Sequence, residues 1–348
     1  MARGEVAWDA VIGTANRDLL VPALWASLRQ KGLDSFLSDR ARDVLRRQHR
    51  YNLLKNEKLR EQACEVARAL NAVGLVPILL KGGTHLFEDT FGDPGVRSML
   101  DLDFLVRMGQ VDRAIAVLHE LGYRPQDVAE LDFQHRPMIK AGAFGPVEIH
   151  RYIGEQREVL TPDEAWSDCV ELSAGDARLL ALSPTHRVIH NVFHSEVQDR
   201  GHELGFIWPR QLHDLVGICR FHAAHIDWAA IDRSMTRHGL GATLRARLYL
   251  ATRCLGLPVV ADLHPGPRAK LHYYRCRLQI RVPALSAAAR FWGGATAPLR
   301  KHAIDLAYGC GTRPLAVNAY RVHHVLQLIR RHRGRFWRKI RDARSMYG

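Results

Sequence analysis

Ile78 to Val106 reads ILLKGGTHLFEDTFGDPGVRSMLDLDFLV, and its punctuation decides how the rest of the chain is organised. An apolar run, Val76 to Leu80, stops at Lys81-Gly82-Gly83. Gly92-Asp93-Pro94-Gly95 then leads to Arg97, and Asp101-Leu102-Asp103 opens a second apolar run, Phe104-Leu105-Val106. Short apolar runs bounded by turn residues are strand signals. Carboxylates at i and i+2 of a strand point to one face. Two like charges there are unfavourable without a cation between them. A divalent metal is the usual cation for hard oxygen ligands, and a Gly-Gly turn beside it lets a phosphate approach backbone N–H groups. The stretch has the outline of a nucleotide site.

The flanks are organised around it. Residues 1–75 are expected to be helical: Arg17 to Leu28 carries Leu19, Leu20, Ala23, Leu24 and Leu28 near helical spacing. Arg40 to Val73 runs almost without breakers up to Gly74. Within 76–155, Thr84 to Phe91 is expected as one short helix, Asp101–Arg107 as a strand, and Gln110 to Leu121 as an amphipathic helix stopped by Gly122. His135–Lys140 and Pro146–Arg151 flank the Gly142/Gly145 turn as an antiparallel hairpin. The expected fold is α+β: a small mixed sheet covered by helices on one face, embedded between helical N- and C-terminal regions. Residues 156–315 read as a helical domain, with Leu182-Ser183-Pro184 supplying an N-cap and a first-turn proline. Trp208–Phe221, Asp227–His238 and Thr243–Leu255 follow as helices, and 316–348 reads as a basic amphipathic helical tail.

The apolar fraction of 47% in 348 residues is enough for a substantial core. No apolar run has the length of a membrane span, and MARGEVAWDAVIG lacks a secretory h-region. Six cysteines without a CxxC pair argue for a reducing compartment, hence a cytoplasmic location, and against a zinc ribbon. The net charge is +14, and residues 321–348 hold nine Arg or Lys against one acid, Asp342. An anionic partner for that stretch, nucleic acid or a membrane surface, and a merely solvated tail both remain open.

Val147-Glu148-Ile149-His150 places a third carboxylate on a strand with apolar neighbours. Beside the Asp101–Arg107 strand, it would let Asp101, Asp103 and Glu148 hold two magnesium ions, with manganese as the alternative. Lys81 and Arg97 are then the phosphate-side cations, next to Gly82 and Gly83. A glycine turn, Asp-x-Asp on a strand and a lone acid on a later strand resemble the DNA-polymerase-β-like nucleotidyltransferase superfamily. The finer wording resembles its bacterial family of uncharacterised nucleotidyltransferases. It consists of Leu80-Lys81-Gly82, Arg97, Asp101-Leu102-Asp103-Phe104-Leu105-Val106 and Val147-Glu148-Ile149-His150, with Leu182-Ser183-Pro184, His190, His194, Trp208, Arg210 and Asp214 downstream. The match covers roughly Val76 to Cys219.

This resemblance implies transfer of a nucleoside monophosphate from an NTP, ATP foremost, to a hydroxyl of a small molecule or protein, with release of pyrophosphate. It implies catalytic and metal-ligating roles for Asp101, Asp103 and Glu148, with Glu148 doubling as general base. Lys81, Gly82, Gly83, Thr84 and Arg97 become the nucleotide-binding set. Two departures stand out: Gly82-Gly83 replaces the more common Gly-Ser, leaving Thr84 as the nearest hydroxyl, and the spacing from Gly83 to Asp101 is long. His186, His190 and His194 share a helical face. His150, His190 and His194 are candidates for an acceptor pocket, against the alternative of buried histidines with structural bonds; a zinc site would need ligands the sequence does not place. Trp208, Arg210 and Asp214 read as packing plus a helix–helix salt bridge. The rival functions are a non-catalytic nucleotide or nucleic-acid binding module and membrane association through the basic C-terminal helix.

Overall fold

The computed structural model describes residues 6–155, 158–260 and 262–296, so the basic tail read at 316–348 lies outside them. Two compact units divide the chain: 1–202 with 206–276, and 203–205 with 277–348. Among the described residues, the second unit contains the helix α12 (Pro283–Thr296).

Elements of the first unit follow the punctuation closely, with instructive exceptions. The single helix expected over Arg17–Leu28 is two, α1 (Trp8–Arg17) and α2 (Val21–Gln30). Leu19 turns left-handed at φ 57°, and Pro22 then sits in the first turn of α2, where the donor it lacks is not missed. Helix α3 (Asp39–Ala72) is the long unbroken stretch, capped by Ser38, whose side chain accepts from the Ala41 amide. Next come β1 (Ile78–Leu79) and β2 (Leu102–Leu105). Between them is a 3₁₀ turn, Lys81–Leu86, instead of the helix expected over Thr84–Phe91. Helix α4 (Val111–Glu120) precedes the strands β3 (Arg124–Pro125), β4 (Met138–Ile139) and β5 (Val147–His150). The expected hairpin is β4–β5, antiparallel with Met138 opposite Val147.

After α5 (Pro162–Ser167), the stretch read as wholly helical instead adds two strands, β6 (Cys169–Leu172) and β7 (Leu179–Leu182). β7 runs parallel to β1, and β6 closes that edge. Helices α6 (Pro184–Phe193), α7 (Gly201–Leu204), α8 (Pro209–Phe221), α9 (Trp228–Arg237), α10 (Gly241–Leu255) and α11 (Pro267–Arg281) complete the series. Ser183 caps α6 by accepting from the His186 amide, with Pro184 in the first turn as expected. The mixed sheet has seven strands in the order β3-β4-β5-β2-β1-β7-β6.

Helices cover both faces of this sheet, not one. β2 is buried at all four positions, which a one-sided sheet does not allow. Side chains alternate across it: Leu79, Leu102, Phe104, Val147, Ile149 and Ala181 pack with Leu59, Val66 and Leu70 of α3 and Leu118 of α4. Ile78, Leu80, Leu105 and Leu182 pack with Val188 and Val192 of α6, Leu215 of α8 and Leu250 of α10. The period of two therefore sends Asp103, Glu148 and His150 to the α6/α8 face.

Candidate active site

β2 and β5 pair in parallel with Asp103 opposite Glu148 and Leu105 opposite His150. Both acids and the histidine thus converge at one spot, and the ligand atoms of Asp103, Glu148 and His150 lie within 4.8 Å of one another. Asp103 is 2% exposed and has two cationic or donor partners on one oxygen: Lys81 Nζ at 2.6 Å and His150 Nε2 at 2.8 Å from Oδ1. Glu148 is more open; its Oε2 accepts from Gln134 Nε2 at 3.0 Å and lies 3.7 Å from His150 Nε2. Asp101 immediately precedes β2, on the same side by alternation.

The electrostatics match the geometry. Burial works against charge on Asp103, but Lys81 and the hydrogen bond from His150 override it and hold the carboxyl well below the usual range. Asp101 goes the other way: burial, and then the charge of Asp103, raise it. For Lys81, burial opposes the charge, and Asp103 reverses this, raising the ammonium above its ordinary value. The cluster as it stands is a carboxylate site that holds one cation and is short of positive charge for its remaining acids.

Lys81 reaches Asp103 from an unusual backbone. It is left-handed, φ 49°, while Gly82 and Gly83 beside it are not. The glycines serve close packing: a Cβ on Gly82 would lie 2.7 Å from Arg97 Nη2, and one on Gly83 2.8 Å from Leu79 Cδ1. Thr84 is buried, with its hydroxyl donating to the Lys81 carbonyl at 3.1 Å.

Arg97, expected as a phosphate-side cation, is committed within the protein. Its Nε donates to Asp214 Oδ1 and its Nη2 to Asp214 Oδ2, each at 2.8 Å, and Nη1 donates to the Ser98 carbonyl. Asp214, expected in a helix–helix salt bridge, instead joins α8 to the loop that carries Arg97. His150 is also placed differently from the acceptor-pocket expectation. It is fully buried beneath Asp103 and orients that carboxylate.

His190 and His194 do line a cavity of about 70 Å³ beside Lys81, together with Thr84, Arg97, Asn191, Arg210 and Asp214. Burial, then the neighbouring His194 and Lys81, push His190 well below its ordinary value. The neutral ring presents a buried Nε2 that has no hydrogen-bond partner among the described residues.

The loop 93–97 is gripped by α3, a role the sequence reading missed. Asn52 Nδ2 donates to the carbonyls of Gly95 and Arg97, and Asn56 Nδ2 to those of Pro94 and Arg97. His49 Nε2 meets Asp93 Oδ2 at 2.8 Å. A signal was present: Asn52 and Asn56 are four apart on the same helical stripe as Leu45 and Leu59, where apolar residues are the rule.

A mixed α+β fold with Asp103 and Glu148 apposed at the centre of the sheet, and Asp101 just ahead of them in the chain, fits a phosphoryl- or nucleotidyl-transfer class of protein. The chain belongs to the family described as uncharacterised nucleotidyltransferase, whose model matches residues 4–256. That match takes in every site residue above and extends well beyond the Val76–Cys219 core on both sides. No curated protein and no solved structure matches the chain. Among the described residues, no helix is long and apolar enough to cross a membrane.

Proposed function

We propose that the protein is a magnesium-dependent nucleotidyltransferase of the polymerase-β-like kind. It would move a nucleoside monophosphate, AMP from ATP foremost, to a hydroxyl of a small molecule or protein and release pyrophosphate. The single observation carrying this reading is the register that puts Asp103 opposite Glu148 on adjacent parallel strands, with Lys81 on the shared face.

The donor set fits hard divalent ions: the Asp103 and Glu148 carboxylates stand in direct apposition, Asp101 lies two residues before Asp103, and a lysine already neutralises Asp103. Asp101, Asp103 and Glu148 would hold magnesium, and manganese fits the same oxygens. His150 supports from behind, its bond to Oδ1 fixing the Asp103 carboxylate as outer partners of metal ligands do. When bound, such ions polarise the phosphates and lower the proton affinity of the attacking hydroxyl.

The chain's own residues supply the rest. Glu148, on β5 and more open than Asp103, takes the proton of the incoming hydroxyl. Lys81, held against Asp103 at 2.6 Å, is the resident cation that the triphosphate would meet. Gly82, Gly83 and Thr84 form the turn from which Lys81 reaches the phosphates. Arg97 braces that turn from behind through Asp214. The cavity beside Lys81 is far smaller than the hundreds of cubic ångströms a nucleotide needs. It suits the hydroxyl-bearing end of an acceptor, facing His190 and His194.

Incubating the protein with each NTP, Mg²⁺ and candidate acceptors, with mass spectrometry for an added nucleotide and a coupled pyrophosphate assay, tests the reading. Asp103→Asn and Glu148→Gln are expected to abolish pyrophosphate release while retaining the wild-type circular dichroism spectrum. Turnover surviving in both variants would refute the assignment.

A further inference from the structure

A second cluster of metal-ligand side chains lies away from the sheet, among the helices of the first unit. The ligand atoms of Glu196, His202 and His272 are within 4.8 Å of one another. Glu196 comes from a π-helical turn, His194–Gln198, that follows α6, and such wide turns concentrate at functional sites. His272 lies on α11, and one turn later on the same face Cys276 is fully buried with its Sγ 3.4 Å from His272 Nε2.

Three features of this cluster are unexplained by packing alone. Glu196 is 2% exposed, and only one of its carboxylate oxygens is used: Oε1 accepts from Arg247 Nη1 at 2.9 Å. Its Oε2 has no hydrogen-bond partner among the described residues, and neither has the buried Nδ1 of His202. The two imidazoles stack with centroids 4.4 Å apart.

We infer that Glu196, His202 and His272, whose ligand atoms already converge, form a structural site for a borderline divalent metal, zinc by class, distinct from the oxygen-rich site on the sheet. Cys276, standing against His272, closes it as fourth ligand when the ion binds. Mixed O, N and S donors select zinc over magnesium. With Zn–S of about 2.3 Å and Zn–N of about 2.0 Å, tetrahedral geometry separates the two ligand atoms by about 3.5 Å. The observed Cys276–His272 separation of 3.4 Å is that distance. On binding, the Cys276 thiol releases its proton to solvent and the thiolate takes the metal. Arg247 keeps Oε1 and fixes the carboxylate's orientation. The metal ties α11 to the turn after α6, so its loss loosens the helical half without touching Asp103 or Glu148.

The test is metal content of the full chain, purified without added metal or chelator, by inductively coupled plasma mass spectrometry. About one zinc per chain is expected in the wild type and in Asp103→Asn/Glu148→Gln, and less than a tenth of that in His202→Ala/His272→Ala. Zinc at wild-type level in the double-histidine variant, or none in a folded wild type that also fails to take up Zn²⁺ after stripping, would overturn the proposal. Should the double variant not fold, the stripped wild type is titrated with Co²⁺. A thiolate-to-cobalt charge-transfer band is expected, and Cys276→Ser is expected to remove it. An absent band in the wild type, or one that persists in Cys276→Ser, rules out this ligand set.

Discussion

Replacing Asp214 separates two roles for Arg97, brace or phosphate ligand. The two side chains are 10% and 8% exposed and meet through a two-pronged contact. Removing one member of a buried ion pair leaves the other charge desolvated without compensation, a loss of about 3–5 kcal/mol. Asp214→Ala is therefore expected to lower the urea unfolding free energy by about that amount. The exposed Lys58–Glu61 pair of α3 is the internal control, and Glu61→Ala should cost about 0–1 kcal/mol. Arg97→Ala/Asp214→Ala, which leaves no orphan charge, should cost at least about 1 kcal/mol less than the sum of the single variants. Arg97→Lys extends the comparison. A lysine cannot make the paired contact, so a brace predicts a lower unfolding midpoint with the nucleotide KM nearly unchanged. A phosphate ligand predicts the reverse. A loss below about 1 kcal/mol for Asp214→Ala, or strict additivity in the double variant, would refute the brace.

Lys81→Met removes the ammonium on Asp103. Because that carboxyl is held below its ordinary 3.8, it contributes stability that is present above that pH and lost as pH falls through the folded value. Thermal midpoints measured below pH 4 should fall less steeply in the variant, and an unchanged acid limb would show that Lys81 does not hold Asp103. The raised Lys81 contributes stability below its ordinary 10.5 that is lost as pH rises through the folded value, so the variant should also lose the alkaline limb. Asn56→Ala abandons the carbonyls of Pro94 and Arg97 and should cost about 1–3 kcal/mol by urea denaturation. Faster amide exchange confined to residues 92–98 would accompany it. Ser183→Ala removes the α6 cap and should cost about 1 kcal/mol; no change would mean that α6 is held by packing alone.

Much of the site was legible because its chemistry is periodic. Asp103, Glu148 and His150 sit at alternating positions in short apolar runs, so a strand assignment alone places them on one face. What failed to show was whatever depends on which elements lie opposite. Leu179–Leu182 is a short apolar run that reads equally well as helix, and only its pairing with β1 on one side and β6 on the other decides between them. Helix cover on the second face was hidden for the same reason: β2 is apolar on both sides apart from Asp103. Arg97 reads as a free cation until Asp214, over a hundred residues later, is brought to it by the packing of α8. The packing role of Gly82 and Gly83 was equally hidden. Their missing side chains make room for Arg97 and Leu79, facts of packing that no spacing rule contains.

The strongest sign that the Lys81 turn is built for chemistry is where its strain falls. A left-handed conformation costs a side-chain-bearing residue about 1–2 kcal/mol and a glycine almost nothing. Here two glycines follow directly, yet the lysine takes φ 49°. A sequence selected for stability alone would exchange the residues, leaving glycine at 81. The retained order holds an ammonium against Asp103 at 2.6 Å from a backbone fixed on three sides. The Gly83 amide bonds the Leu80 carbonyl, Arg97 packs on Gly82, and Leu79 packs on Gly83. Strain that neighbours over-determine persists where a side chain must be held in a set place. The position of the Lys81 ammonium is therefore what this turn conserves energy to keep, and Lys81→Gly should relax the backbone while losing the site's resident cation.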